Sequence, residues 1–351
     1  MANWGDYHPA SGAGWSVFWR ISQADGGGLE VWFADFQGKR VMWRGTQPFA
    51  LVPYHTFSPT FKDGIDAHCG GVGFTALKHG APNAWNDASW NAGADTEAVV
   101  VKVEPQDDFH PAELIIAAKF QCGWYQYVHR WVFNGDGVIH PQVAMGGHLM
   151  PDESTPTNSS DRPHIHHMYF RVDLDIDGQF PHDVFEVFNH NNFNHPGGDQ
   201  WDIVKKQSKL LANPDTARKW RVRNTVSKNE TGQFRGYEIE LPQLAARDKF
   251  STGDVWVTVY RGDGVQQGEG VGLKCTDAEM ESVYAVGPLD IVNGNDIVFW
   301  AVVRAHHEPR NQGEEANHLP YHYEEFSITP RNFARIGEDA GRHGGRGGHD
   351  R

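Results

Sequence analysis

The sequence predicts an all-β protein, one large and mainly antiparallel domain, on three observations. Its 351 residues include 39 glycines and 19 prolines, enough punctuation for many turns between short strands. Apolar residues recur with a period of two, as in Leu29, Val31 and Phe33 or Val255, Val257 and Val259, each set assigned to one half-buried face. Helical periodicity is weak by comparison. Its best candidates are Asp202 to Leu211, carried by Ile203, Val204, Leu210 and Leu211, and a stretch from Asp277 to Val283. Thirteen tryptophans, 20 phenylalanines and 10 tyrosines supply the bulk of a large core.

Along the chain, residues 1–14 read as a lead-in, 15–336 as the β domain and 337–351 as a tail rich in Gly, His and Arg that is expected to be disordered. Pro151 to Arg162 reads as a loop. The formal charge of −14 argues against a phosphate-binding footprint, so nucleic acid is not an expected partner. The three cysteines, Cys69, Cys122 and Cys275, are too few and too scattered for a disulfide framework or a thiolate metal site. No apolar run is long enough to span a bilayer, and Met1 to Gly14 lacks the basic and apolar regions of a signal peptide. No membrane association is expected. The compartment stays open, with the cytoplasm as the default.

The chemistry concentrates in the run from His164 to Gly178. On a strand, successive side chains point to opposite faces, so His164, His166, Met168, Phe170, Val172, Leu174 and Ile176 share the face that must be buried. Two imidazoles therefore point inward. The other face carries His167, Tyr169, Arg171, Asp173, Asp175 and Asp177, a polar row whose carboxylates are close enough to share a hard cation. A third nitrogen donor is expected where the segment Asp296 to Arg310 reaches His306 and His307. Parity chooses His307, which alternates in step with Ile297, Phe299, Ala301, Val303 and Ala305. Three imidazoles without a thiolate suit copper or zinc and lean towards copper. A cupin would also use a His-x-His pair, but it needs a Glu where this chain has Phe170 or Arg171.

Two further segments complete the pattern. Tyr125, Tyr127, His129 and Trp131 form an aromatic face on one strand, which on its own reads as core. Asp66 lies in a glycine-rich and otherwise apolar turn after Val52-Pro53-Tyr54, where burial would raise its pKa and suit a general base.

Taken in order, these segments resemble the catalytic domain of the copper amine oxidases, a large antiparallel β-sandwich, from about Trp15 to Phe333. The family's H-x-H-x-x-x-x-R-x-D-x-D-x-x-G strand matches His164 to Gly178 position by position. Its D-[ILV]-V-x-W strand ending in H-x-P matches Asp296 to Trp300 and His307-Glu308-Pro309. The resemblance implies copper on His164, His166 and His307. It also implies a second cation, usually calcium, on the Asp173, Asp175 and Asp296 carboxylates and the Leu174 and Ile297 carbonyls. Tyr125 matches the tyrosine that becomes topaquinone, Asp66 the catalytic base, and Tyr54 a tyrosine that hydrogen-bonds a quinone oxygen. The implied activity is the oxidation of a primary amine by O2 to an aldehyde, ammonia and hydrogen peroxide, in a homodimer.

The chain departs from the family pattern beside the cofactor position. The motif's Asn is Trp124, its acid is Gln126, and the Gly-Glu after the base is His68-Cys69. These departures keep two alternatives open: a copper enzyme of the same fold with unmodified Tyr125 and different oxygen-dependent chemistry, or a copper-binding homologue without turnover.

Overall fold

The computed structural model of the chain describes residues 7–22, 28–53, 60–64, 73–77, 99–123, 125–147, 164–178, 181–190, 201–242, 247, 251–260, 294–307 and 323–333. The strands among them are β1 (His8–Gly12), β2 (Trp15–Ser22), β3 (Gly28–Phe36), β4 (Lys39–Pro53), β5 (Thr60–Asp63), β6 (Thr75–Ala76), β7 (Val99–Glu104), β8 (Glu113–Cys122), β9 (Tyr125–Asn134) and β10 (Ile139–Gly147). There follow β11 (His164–Leu174), β12 (Asp183–Phe188), β13 (Trp201–Ile203), β14 (Ser208–Leu210), β15 (Lys219–Lys228), β16 (Phe234–Glu240), β17 (Val255–Val259), β18 (Ile297–His307), β19 (Tyr323–Glu325) and β20 (Ser327–Arg331). Among the described residues, single 3₁₀ turns lie at Ile176–Gly178 and Pro214–Thr216.

The strands form two antiparallel sheets. In one the order is β1-β2-β3-β4-β11-β18-β17-β14, with β5 added to β4. In the other it is β13-β12-β15-β16-β20-β10-β9-β8-β6, with β19 on β10 and β7 on β8. One core joins their inner faces: Met168, Phe170, Val172 and Leu174 of β11 lie in the same buried cluster as Tyr125, Tyr127 and Trp131 of β9. Trp131 meets the Phe170 ring edge-on at 6.1 Å between centroids. At Gly45, β4 leaves room for a side chain of the facing sheet. A Cβ on Gly45 would overlap Trp131 Cη2, with Cζ3 at 2.8 Å and Met42 Sδ at 3.0 Å. Gly45→Ala is therefore expected to lower stability by about 1–3 kcal/mol, the usual penalty for overpacking, read as a lower urea midpoint at unchanged slope.

Three sequence expectations are corrected. The predicted helix from Asp202 to Leu211 is instead two short strands, β13 paired with β12 and β14 paired with β17. Its apolar residues do not line a buried stripe, since Ile203 and Leu211 are both exposed, and pairing at sheet edges wins over a weak propensity. Phe33 does not share the face of Leu29 and Val31. A register shift opposite Ser16 and Phe18 and a φ of 50° at Phe33 form a bulge, after which Ala34 and Phe36 take the buried face. The predicted polar face of β11 is buried as well. His167, Tyr169, Arg171 and Asp173 are at most 2% exposed, and Tyr169 stacks on Phe49 in a second cluster with Trp256 and Trp300.

The second helical candidate at Asp277 to Val283, the loop from Pro151 to Arg162 and the tail 337–351 lie outside the described residues.

Candidate metal centre

The site forms where the start of β11, the end of β18, the turn of the β8–β9 hairpin and β5 meet. Two residues, Gly123 and Trp124, connect β8 to β9, and Gly123 has the positive φ, 56°, that such a tight turn requires. The hairpin thus fixes Cys122 opposite Tyr125 and turns Tyr125 and Tyr127 towards β11. Strand parity does the rest: His164 is 3% exposed and His166 is fully buried, both on the inner face.

The two imidazoles converge through their Nε2 atoms, 3.0 Å apart. Two nitrogens bound to one ion at about 2.0 Å, at angles between square and tetrahedral, are separated by about 2.8–3.3 Å, so the pair fits a shared copper or zinc ion. The Tyr125 hydroxyl lies 3.4 Å from His164 Nε2, and its ring meets that of His166 edge-on at 4.9 Å. Antiparallel pairing puts position 307 directly across from position 164. The side chain of His307 is outside the described residues, but its neighbours agree with the parity argument: Ala305 belongs to the inner core, while His306 is exposed. Among the described residues no three His, Cys, Asp or Glu side chains stand in ligating geometry.

A chain of hydrogen bonds backs the His-x-His pair. The Tyr127 hydroxyl is 2.8 Å from His166 Nδ1 and donates to Asp63 Oδ2 at 2.7 Å. Burial pushes the Asp63 carboxyl up to about 7, against hydrogen bonds from Tyr127 and the Cys122 thiol that favour the ionised form. Burial, followed by the Asp63 charge, raises the Tyr127 phenol well above its ordinary value and keeps it protonated. The sequence reading left out Asp63 altogether and took Tyr127 for core. The available signal for Tyr127 was its two-residue spacing from Tyr125, which aims both phenols at one facing strand. Asp63 gave none, because β5 is four residues long and too short to show a period.

Tyr54 and Asp66, together with Trp124, His68, Cys69 and Cys275, lie outside the described residues. Gln126 is buried on the opposite side of β9 from Tyr125 and Tyr127, and its amide donates to Gln121 Oε1 at 3.2 Å.

The carboxylates gather at the far end of β11. Asp173, Asp175 and Asp296 line one pocket of 480 Å³ with Trp43, Val259, Tyr260 and Asn295. Asp177 is not part of it: the strand ends at Leu174, and Asp177, with φ 61°, instead accepts from Ser227 Oγ at 2.6 Å. Behind the pocket, burial pushes Asp183 up to about 7, and the charges of Asp175 and Asp296 add to the rise.

The fold recurs among known proteins. The solved copper-containing benzylamine oxidase of Hansenula polymorpha shares the fold, with a TM-score of 0.67 over 94% of this chain and 61% of that one, at 20% identity. The copper-containing amine oxidase gamma 2 of Arabidopsis thaliana is 24% identical over 265 residues, 63% of this chain and 38% of the relative. The primary amine oxidase of Pisum sativum is 26% identical over 266 residues, 63% of this chain and 37% of the relative. The chain thus spans about two fifths of the length of the curated relatives it matches. The family model of the copper amine oxidase enzyme domain matches residues 108–339, which include β9, β11 and β18, and the chain belongs to the copper amine oxidase family.

Proposed function

We propose that the chain oxidises a primary amine with O2 and water, releasing the aldehyde, ammonia and hydrogen peroxide, with copper on His164, His166 and His307 and topaquinone formed from Tyr125. His164 Nε2, 3.0 Å from His166 Nε2 and 3.4 Å from the Tyr125 hydroxyl, carries this reading. When bound, copper and the quinone supply the electrophilic carbonyl, the electron sink and the path to O2, which no side chain provides. His164 and His166 hold the ion from a buried strand, and Tyr125, 5% exposed, occupies the water-poor space between the sheets. Asp66 is the base for the substrate's α-proton and Tyr54 the hydrogen-bond partner of a quinone oxygen. Both roles rest on motif position.

The second cation is assigned to Asp173, Asp175 and Asp296 with the Leu174 and Ile297 carbonyls. Its support is the shared pocket and the hard oxygen donors that calcium prefers. A homodimer follows from the family habit.

A second reading is favoured by Gln126, which stands where the motif has an acid: copper chemistry with O2 beside an unmodified Tyr125. Mass spectrometry separates the two. Protein purified without metal and then given copper and air is expected to yield a Tyr125 peptide that has gained two oxygens and lost two hydrogens. A visible band titrated by phenylhydrazine should accompany it. An unmodified Tyr125 in fully copper-loaded protein overturns the quinone and leaves the second reading.

A further inference from the structure

We propose that Asp63 is a positioning residue of the metal centre, acting through Tyr127 to fix the tautomer of His166 that leaves its Nε2 free to bind copper. The inference rests on the copper assignment above and adds a residue that the sequence motifs do not contain.

The argument is one of hydrogen counting. A phenol has a single hydrogen to donate, and the Asp63 carboxylate has none once it is ionised, which its raised value of about 7 places at mildly alkaline pH. The Tyr127 hydroxyl gives its hydrogen to Asp63 Oδ2 at 2.7 Å, and the Cys122 thiol is a second donor to the same carboxyl. With that hydrogen committed, the Tyr127 oxygen can only accept at its 2.8 Å contact with His166 Nδ1. Nδ1 must then carry the ring proton, and the lone pair falls on Nε2, which faces His164 Nε2 at 3.0 Å. Without Asp63, the Tyr127 hydroxyl could turn and donate to Nδ1. That would move the ring proton to Nε2 and oppose the metal. All three groups are buried, Asp63 at 6% exposure and Tyr127 and His166 at 0%, so water does not readily substitute for the missing acceptor. Outer partners that orient a ligating imidazole in this way are worth about 10- to 100-fold in metal affinity.

The test measures copper(II) affinity by chelator competition in mildly alkaline buffer, where Asp63 is ionised, on the full chain and on Asp63→Ala, Tyr127→Phe and the double variant, each checked for folding by circular dichroism. Asp63→Ala is expected to bind about 10- to 100-fold more weakly than the wild type. The double variant should bind no more weakly than Asp63→Ala, because removing the hydroxyl also removes the competing donor. Unchanged affinity in folded Asp63→Ala, or losses that multiply in the double variant, overturns the relay. Wild-type protein that folds but takes no copper overturns the copper assignment as well. Nitrogen-15 histidine spectra of the metal-free wild type, with His166 identified by its loss in His166→Gln, give a reading that survives even if Asp63→Ala does not fold. Protonated Nδ1 supports the proposal, and protonated Nε2 refutes it.

Discussion

His166→Ala is expected to lower copper affinity by more than about 100-fold, beyond the usual effect of losing an outer hydrogen-bond partner, and to leave Tyr125 unmodified in air. His166 is fully buried with its Nε2 against that of His164, so the variant removes one of two converging nitrogen donors. His306→Ala provides the control. That side chain lies one residue away from the third assigned ligand but is exposed, so its loss should leave copper binding within about twofold of the wild type, as expected for a surface change. Chelator competition and metal analysis after gel filtration measure both. Full copper occupancy in folded His166→Ala would remove the His-x-His pair from the site. A comparable loss in His306→Ala would show that the parity argument chose the wrong histidine of the pair.

What is legible of the candidate site in the sequence depends on the period of a strand. His164, His166, Tyr125 and Tyr127 alternate along two strands, and alternation alone fixes which side chains enter the space between two sheets. His307 is reached by the same alternation, and the structure pairs position 307 with position 164. Periodicity does not say what covers the opposite face. The row from His167 to Asp173 reads as polar in the sequence. It is buried because the sheet carries a second apolar cluster, and because segments distant in sequence supply partners: Arg304 donates to His167 Nδ1 at 3.1 Å and to Asp254 at 2.7 Å, and Tyr169 meets Ser251 at 2.8 Å. A buried polar strand face is legible only once its partners are known.

The other misreadings have the same origin. The bulge at Phe33 depends on one residue adopting φ 50° against a shifted neighbour, which no pattern of apolar residues encodes. Asp63 takes its meaning from Tyr127, 64 residues later, and from the pairing of β5 with the inner part of β4 that carries it there.

Glu30→Ala is expected to lower the unfolding free energy by about 3–5 kcal/mol, the range found when one partner of a buried ion pair is removed. Glu30 is 1% exposed in β3 and accepts from Arg44 at 2.5 Å, Arg20 at 2.6 Å and Trp32 Nε1 at 2.7 Å. Arg44 is fully buried, its guanidinium 4.8 Å from the centre of the Trp32 ring, so the variant leaves a cation inside the protein without its carboxylate. One of the strands involved lies beside β11: Arg44 of β4 pairs with Trp32 on β3 and with Asp173 on β11. Burial raises the Glu30 carboxyl, but the Arg44 and Arg20 charges and the hydrogen bonds from Arg20 and Trp32 outweigh it and hold it below its ordinary value. A lowered folded-state pKa means that the stabilisation is complete above the ordinary carboxylate range. It is lost as pH falls through the lowered value. The gap between wild type and Glu30→Ala should therefore be widest near neutral pH and should close in acid. Urea unfolding at several pH values measures it, with the slope held constant as the check on two-state behaviour. A difference below about 1 kcal/mol at neutral pH would place Glu30 among ordinary surface ion pairs and contradict its burial between the two arginines.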